Sequence, residues 1–203
     1  MTTTHSHRRL HSFICVEGID GVGKSTVARK LATALGGIYY KTPPAPFDSI
    51  RAEIDRRSDA AARLYFYVSA VFFASLEIGE LRARQPVVCD RYIFSTLAYH
   101  IAMDESFRNF VIPPTLMMPD ETFLLVADEA ERLRRLLERG EAASRHDSAL
   151  EANRVFLAQV QREFRRFDLH VIDTTQSDAD ETAQQILTRV NASPNSELYL
   201  RWK

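Results

Sequence analysis

Apolar residues in this chain fall into two alternating rhythms. Short, dense apolar runs occur near 12–17, 37–41, 86–90, 122–127 and 168–173, each flanked by glycine, proline or acidic residues. Such runs predict buried strands. Between them, apolar positions recur at three- and four-residue spacing over 24–35, 48–57, 59–83, 93–102, 128–140, 146–166 and 177–191, which predicts helices. Strands that alternate with longer helices form right-handed crossovers, so the pattern predicts an α/β domain. Its five-stranded parallel sheet carries helices on both faces. Loops at the carboxyl ends of the strands then gather the functional residues. Lys41 to Pro46 reads as a rigid, proline-rich loop at one such end.

The residues just after the first run carry chemistry. Gly18-Ile19-Asp20-Gly21-Val22-Gly23-Lys24-Ser25 fits G-x-x-x-x-G-K-[ST] between a predicted strand and a predicted helix. Glycines turn successive backbone N–H groups toward an anion, and the helix N-terminus adds partial positive charge. Gly18, Gly21, Val22, Gly23, Lys24, Ser25 and Thr26 are therefore expected to bind ATP. Lys24 serves the β- and γ-phosphates and the Ser25 hydroxyl serves Mg²⁺. A second strand-end signal is Val87-Val88-Cys89-Asp90-Arg91-Tyr92. Asp90 is placed to hold Mg²⁺ or its waters, and Arg91 to grip a phosphate with a bidentate fork.

Composition adds exclusions. At 203 residues the chain suits one domain, and a formal net charge of −1 supplies no field toward nucleic acid or membrane. Neither a nucleic-acid polymer nor a membrane is an expected partner. No apolar stretch reads as long enough to span a bilayer. Arg132-Leu133-Arg134-Arg135 reads mostly as a solvated helix face. Cys15 and Cys89 both lie in apolar runs, as expected of reduced thiols in a cytoplasmic protein. The domain is expected over 12–192, with a flexible leader over 1–11 and a tail over 193–203.

Three segments together resemble the thymidylate kinases: Phe13-Ile14…Glu17-Gly18-Ile19-Asp20-Gly21-Val22-Gly23-Lys24-Ser25-Thr26, then Asp90-Arg91-Tyr92…Ser95…Ala98-Tyr99, then Pro119-Asp120-Glu121-Thr122-Phe123-Leu124-Leu125. The similarity runs in order from about Phe13 to Val190. It implies a P-loop NTPase fold with a lid at about 139–147. The implied reaction is Mg²⁺-dependent transfer of the ATP γ-phosphoryl group to a (deoxy)nucleoside monophosphate, pyrimidine by family habit, in a homodimer. By the same resemblance Asp20 faces the acceptor sugar, Arg91 its phosphate, Phe66 stacks on its base, and Tyr99 lines the pocket. Such kinases hold an arginine against the migrating charge either in the P-loop or in the lid. Gly21 follows Asp20 here, so Arg139 or Arg145 is expected in that role, with Arg135 behind them.

The departures all concern the acceptor. Lys41-Thr42-Pro43-Pro44-Ala45-Pro46 stands where the family usually carries an arginine-glutamate-proline-glycine-glycine stretch, so Lys41 offers a point charge instead of a fork. Ala70 stands where the family's base-reading arginine belongs, four residues after Phe66. His100 follows Tyr99 and is either a base contact or helix surface. The alternatives left open are a non-dTMP acceptor, such as a modified nucleotide, a nucleoside or another small metabolite, and a non-catalytic nucleotide-binding regulator.

Overall fold

All five apolar runs become strands of a single parallel sheet. A computed structural model describes residues 11–139 and 153–192. Along the chain run β1 (Phe13–Glu17), α1 (Lys24–Ala34), β2 (Ile38–Lys41), α2 (Ala45–Arg57), α3 (Ala60–Leu81), β3 (Val87–Asp90) and α4 (Ile93–Met103). A 3-10 turn over Glu105–Asn109 precedes β4 (Glu121–Val126), α5 (Glu129–Arg139), α6 (Arg154–Phe164), β5 (His170–Asp173) and α7 (Ala179–Ala192). The strand order is β2-β3-β1-β4-β5. β1 lies in the middle, with Phe13 opposite Val87 on one side and Ile14 opposite Glu121 on the other. Chain order reverses direction at β1, and a sheet of this kind collects ligands at that switch point.

The period of two along β1 divides the core. Ile14 and Val16 pack with Val27 and Leu31 of α1, Val160 of α6 and Ile186 of α7. Phe13 and Cys15 point the other way, toward Leu64, Val71 and Ile78 of α3 and Leu97 of α4. Both cysteines are buried and free. Each face is covered by helices, which is why the strands are apolar throughout and do not alternate with polar residues.

Element boundaries follow local chemistry. Asp59 caps α3 by accepting the Ala62 N–H at 2.7 Å, and Asn153 caps α6 by accepting that of Phe156 at 3.0 Å. α2 begins at Ala45, three residues before the expected start. Pro46 sits in its first turn, where a missing N–H costs nothing, so the prolines open this helix and do not extend the loop. The part of the expected 146–166 helix before residue 153 lies outside the described residues, as do most of the leader, the tail and nearly all of the lid.

α3 corrects one expectation. Its 22 residues include an 18-residue window of mean hydropathy 1.4, long and apolar enough by length and composition to cross a bilayer. Leu64, Val68, Val71, Ala74 and Ile78 are nonetheless packed into the core beside β1, β3 and α4.

Candidate active site

The glycine loop leaves β1 at the switch point, pressed between the sheet and α5. At Gly21, with φ at 88°, an added Cβ would come within 2.6 Å of Arg132 Cγ and 2.9 Å of the Arg132 carbonyl oxygen. Only glycine fits this approach. Gly23 then caps α1, so Lys24 and Ser25 occupy its first turn, where backbone N–H groups have no partner within the helix. Lys24 is buried, and its ammonium donates to the Ile19 carbonyl at 2.6 Å and to Asp20 Oδ1 at 3.2 Å.

β3 delivers the second half of the site. Asp90 does not cap the helix that follows. Its Oδ2 accepts hydrogen bonds from the Ser25 hydroxyl at 2.5 Å and the Tyr39 hydroxyl at 2.9 Å. Its Oδ1 is buried with no hydrogen-bond partner among the described residues. Arg91 has a left-handed backbone, φ 69°, unusual for a branched or long side chain and frequent at functional sites. Its N–H donates to the Val16 carbonyl at 3.0 Å, and the Thr42 hydroxyl donates to its carbonyl at 3.0 Å. The guanidinium donates to the Gly18 carbonyl at 3.0 Å, to Ser95 Oγ at 3.2 Å and to the Asp20 carboxylate, and lies 5.4 Å from the Tyr99 ring. Burial opposes charge on Asp20, but the Arg91 and Lys24 cations outweigh it and hold this carboxyl well below the usual range.

A phosphate loop, a strand-end aspartate coupled to its serine, and an arginine aimed across both form one cluster. The family model for thymidylate kinase matches residues 16–186, nearly the whole described domain. The chain belongs to the thymidylate kinase family. It is 32% identical over 193 residues to human mitochondrial UMP-CMP kinase 2, covering 89% of this chain and 42% of that relative, so it spans less than half of that protein. A probable thymidylate kinase of Methanocaldococcus jannaschii is 28% identical over 197 residues, covering 90% of this chain and 97% of the relative. A Candida albicans thymidylate kinase structure superposes with a TM-score of 0.73 at 20% identity, over 92% of this chain and 94% of that one. The deoxyadenosine kinase of M. mycoides shares the fold with a TM-score of 0.60 at 14% identity, over 89% of this chain and all of that one.

The remaining expected residues divide. Lys41 is exposed at the end of β2, in register with Asp90. Phe66 packs against Phe47 of α2 at 5.6 Å and against Tyr67 at 5.3 Å between ring centres, so its ring is engaged within the protein. Ala70 is 1% exposed, packed within α3. His100 is not helix surface: it is 3% exposed and its ring lies 5.3 Å from that of Tyr67. Its Nδ1 meets the Thr96 carbonyl at 2.7 Å, which can only accept, so Nδ1 carries the hydrogen and Nε2 is an acceptor. Nε2 is buried without a hydrogen-bond partner among the described residues. Burial pushes the imidazole down to about 4; the Thr96 contact works against that shift and the Arg63 charge adds to it. Arg145 and the Arg139 side chain lie outside the described residues.

Two arginines of the run read mostly as a solvated helix face, Arg132 and the reserve lid candidate Arg135, turn toward the P-loop and the loop after β5. Arg132 is 1% exposed, paired with Glu129 and donating to the Asp20 carbonyl at 3.3 Å. Arg135 donates to the Thr174 carbonyl at 2.6 Å and to its hydroxyl at 3.0 Å. Arg135 lines a groove of about 590 Å³ with Gly21, Val22, Gly23, Thr26 and the Thr174–Ser177 loop. The sequence reading assigns no role to that loop. Its signal was the polar run Asp173-Thr174-Thr175-Gln176-Ser177-Asp178 at the carboxyl end of the fifth strand, where such folds keep their ligands.

Proposed function

We propose that this chain transfers the γ-phosphoryl group of ATP to a pyrimidine nucleoside monophosphate, releasing ADP and the nucleoside diphosphate. One observation carries the choice of acceptor. The site offers cations, Lys24 and Arg91, and among the described residues each carboxylate beside them is engaged through at least one oxygen by a cation, a hydroxyl or backbone N–H groups. Asp20 is a weak base held between two cations, Asp90 is tied to Ser25 and Tyr39, and Glu17 is buried under α4. A nucleoside hydroxyl needs a general base to become a nucleophile, whereas a monophosphate oxygen already is one. Relatives named for thymidylate, UMP and CMP share the pyrimidine class, which supports the same reading.

ATP occupies the loop and the groove beneath Arg135, its terminal phosphates in reach of Lys24. The oxygen set of Ser25 and Asp90, with the unpartnered buried Oδ1, suits a hard cation. Ser25 and Asp90 would hold Mg²⁺ there, where it would supply positive charge against the donor phosphates. Arg91 presents its fork to the acceptor phosphate, exchanging the Gly18 carbonyl and Asp20 for it. Asp20 receives the acceptor sugar, and Tyr99, Phe66 and His100 the base. Lys41 adds charge at the rim, and Arg139 or Arg145 closes over the migrating group from the lid.

Tyr65, Phe73 and Leu76 expose a large apolar flank on α3, which supports a homodimer packed through this helix. The unpaired thiols Cys15 and Cys89 suit the cytoplasm.

The test is ADP release with Mg·ATP against dTMP, dUMP, UMP, CMP, dCMP, AMP, GMP and the matching nucleosides. Turnover led by a pyrimidine monophosphate is expected. Turnover with nucleosides and none with monophosphates would overturn the proposal.

A further inference from the structure

Glu17 closes β1 one residue before the glycine loop and is completely buried, an unusual place for a carboxyl group. Its partners come from the far side of the sheet. Oε1 accepts the backbone N–H groups of Tyr92 at 3.0 Å and Ser95 at 3.2 Å, while Oε2 takes the Ser95 hydroxyl. These donors are the start of α4, whose own capping residue, Tyr92, offers no side-chain acceptor. A residue 75 positions away thus caps the helix.

The network does not end there. With its hydrogen directed to Glu17, Ser95 Oγ keeps lone pairs facing outward, and Arg91 Nη1 donates to one of them at 3.2 Å. Arg91 is therefore fixed from both ends, by its left-handed backbone on the Val16 carbonyl and by its tip on Ser95. We propose that Glu17 is a positioning residue for the acceptor-phosphate site, orienting the Ser95 hydroxyl so that the Arg91 fork is held ready for its anion.

Glutamine is the informative replacement. In Glu17→Gln the amide oxygen can still accept the two backbone N–H groups, so the helix keeps its cap. The amide nitrogen can only donate, so the Ser95 hydroxyl must turn its hydrogen away from residue 17, toward the outward side from which Arg91 donates. The damage should fall on the acceptor and spare the donor. This inference rests on the proposed acceptor, so two readouts are needed.

By kinetics, Glu17→Gln should raise the acceptor KM about tenfold or more, the effect of losing one charged hydrogen bond, with the ATP KM within about twofold of the parent. Ser95→Ala should do the same, and the double variant should add little, because both act through one contact. By ¹⁵N NMR, the Arg91 guanidinium signal, identified by its loss in Arg91→Lys, should be distinct in the parent and broadened in both variants. An unchanged Arg91 signal, or equal losses for ATP and acceptor, would overturn the positioning role. A parent protein with no acceptor-dependent ADP release would instead overturn the proposed function, and the NMR comparison would still decide the role of Glu17.

Discussion

Lys24 is buried yet makes its contacts to the loop itself, which separates its chemistry from the core. Lys24→Ala should reduce turnover about a hundredfold or more with little change in melting temperature, as kinetics and a thermal melt will check. The proposed base contact of His100 predicts effects on both activity and stability. Phe in its place keeps a ring and removes the acceptor Nε2. The acceptor kcat/KM should fall about tenfold or more while the ATP KM holds, because a base donor loses its partner. The same residue sets a pH dependence. Its folded value of about 4 lies below the ordinary 6.5, so the fold disfavours the charged ring. Stability is therefore full above about pH 6.5 and is lost as pH falls toward 4. The loss is on the order of 3 kcal/mol for a shift of that size. Denaturant titrations across that window should show the slope in the parent and a flatter one in His100→Phe. Lys24, Ser25, Asp90 and Arg91 were legible because strand-end and loop spacing fix their positions. The burial of His100 and Arg132 was not, since it depends on α3 and the P-loop packing against them from distant parts of the chain.

At the scale of elements, the P-loop and α5 meet closely at Gly21. Gly21→Ala would force a left-handed alanine into Arg132, combining backbone strain with a clash against main chain. It should destabilise the fold by about 2 kcal/mol or more and weaken ATP binding. Gly36, also left-handed at φ 62° but with nothing within 4 Å of an added Cβ, provides the control. There alanine should cost about 1 kcal/mol, from backbone alone, and leave ATP binding untouched. Melting curves and nucleotide titrations of the pair separate strain from contact. The strands and most helices were legible to within a few residues from periodicity. The early start of α2 was hidden by Pro46, which reads as a breaker in sequence but serves as a first-turn residue in place. The 3-10 turn after α4 was missed because its signal is a single Asp104 side chain accepting from Ser106.

Over the whole molecule, alternation of strands and helices announced a parallel sheet, but not its order, which depends on how the crossovers lay each strand down. The exposed flank of α3 offers one prediction at this scale. Leu76, 72% exposed, should anchor the dimer, so Leu76→Asp should shift sedimentation from dimer to monomer without lowering the melting temperature of the monomer. A homodimer untouched by this change would place the interface elsewhere. The central position of β1 has a further consequence, for folding. β1 is the first strand made, yet its neighbours are the third and fourth, and the Phe13 N–H is satisfied by an Asp120 carboxylate 107 residues further on. The phosphate loop therefore precedes in sequence the strands that wall it, and distant strands must pair with β1 before the loop has its surroundings. ATP binding should therefore report on a late stage of folding, after β3 and β4 have paired with β1.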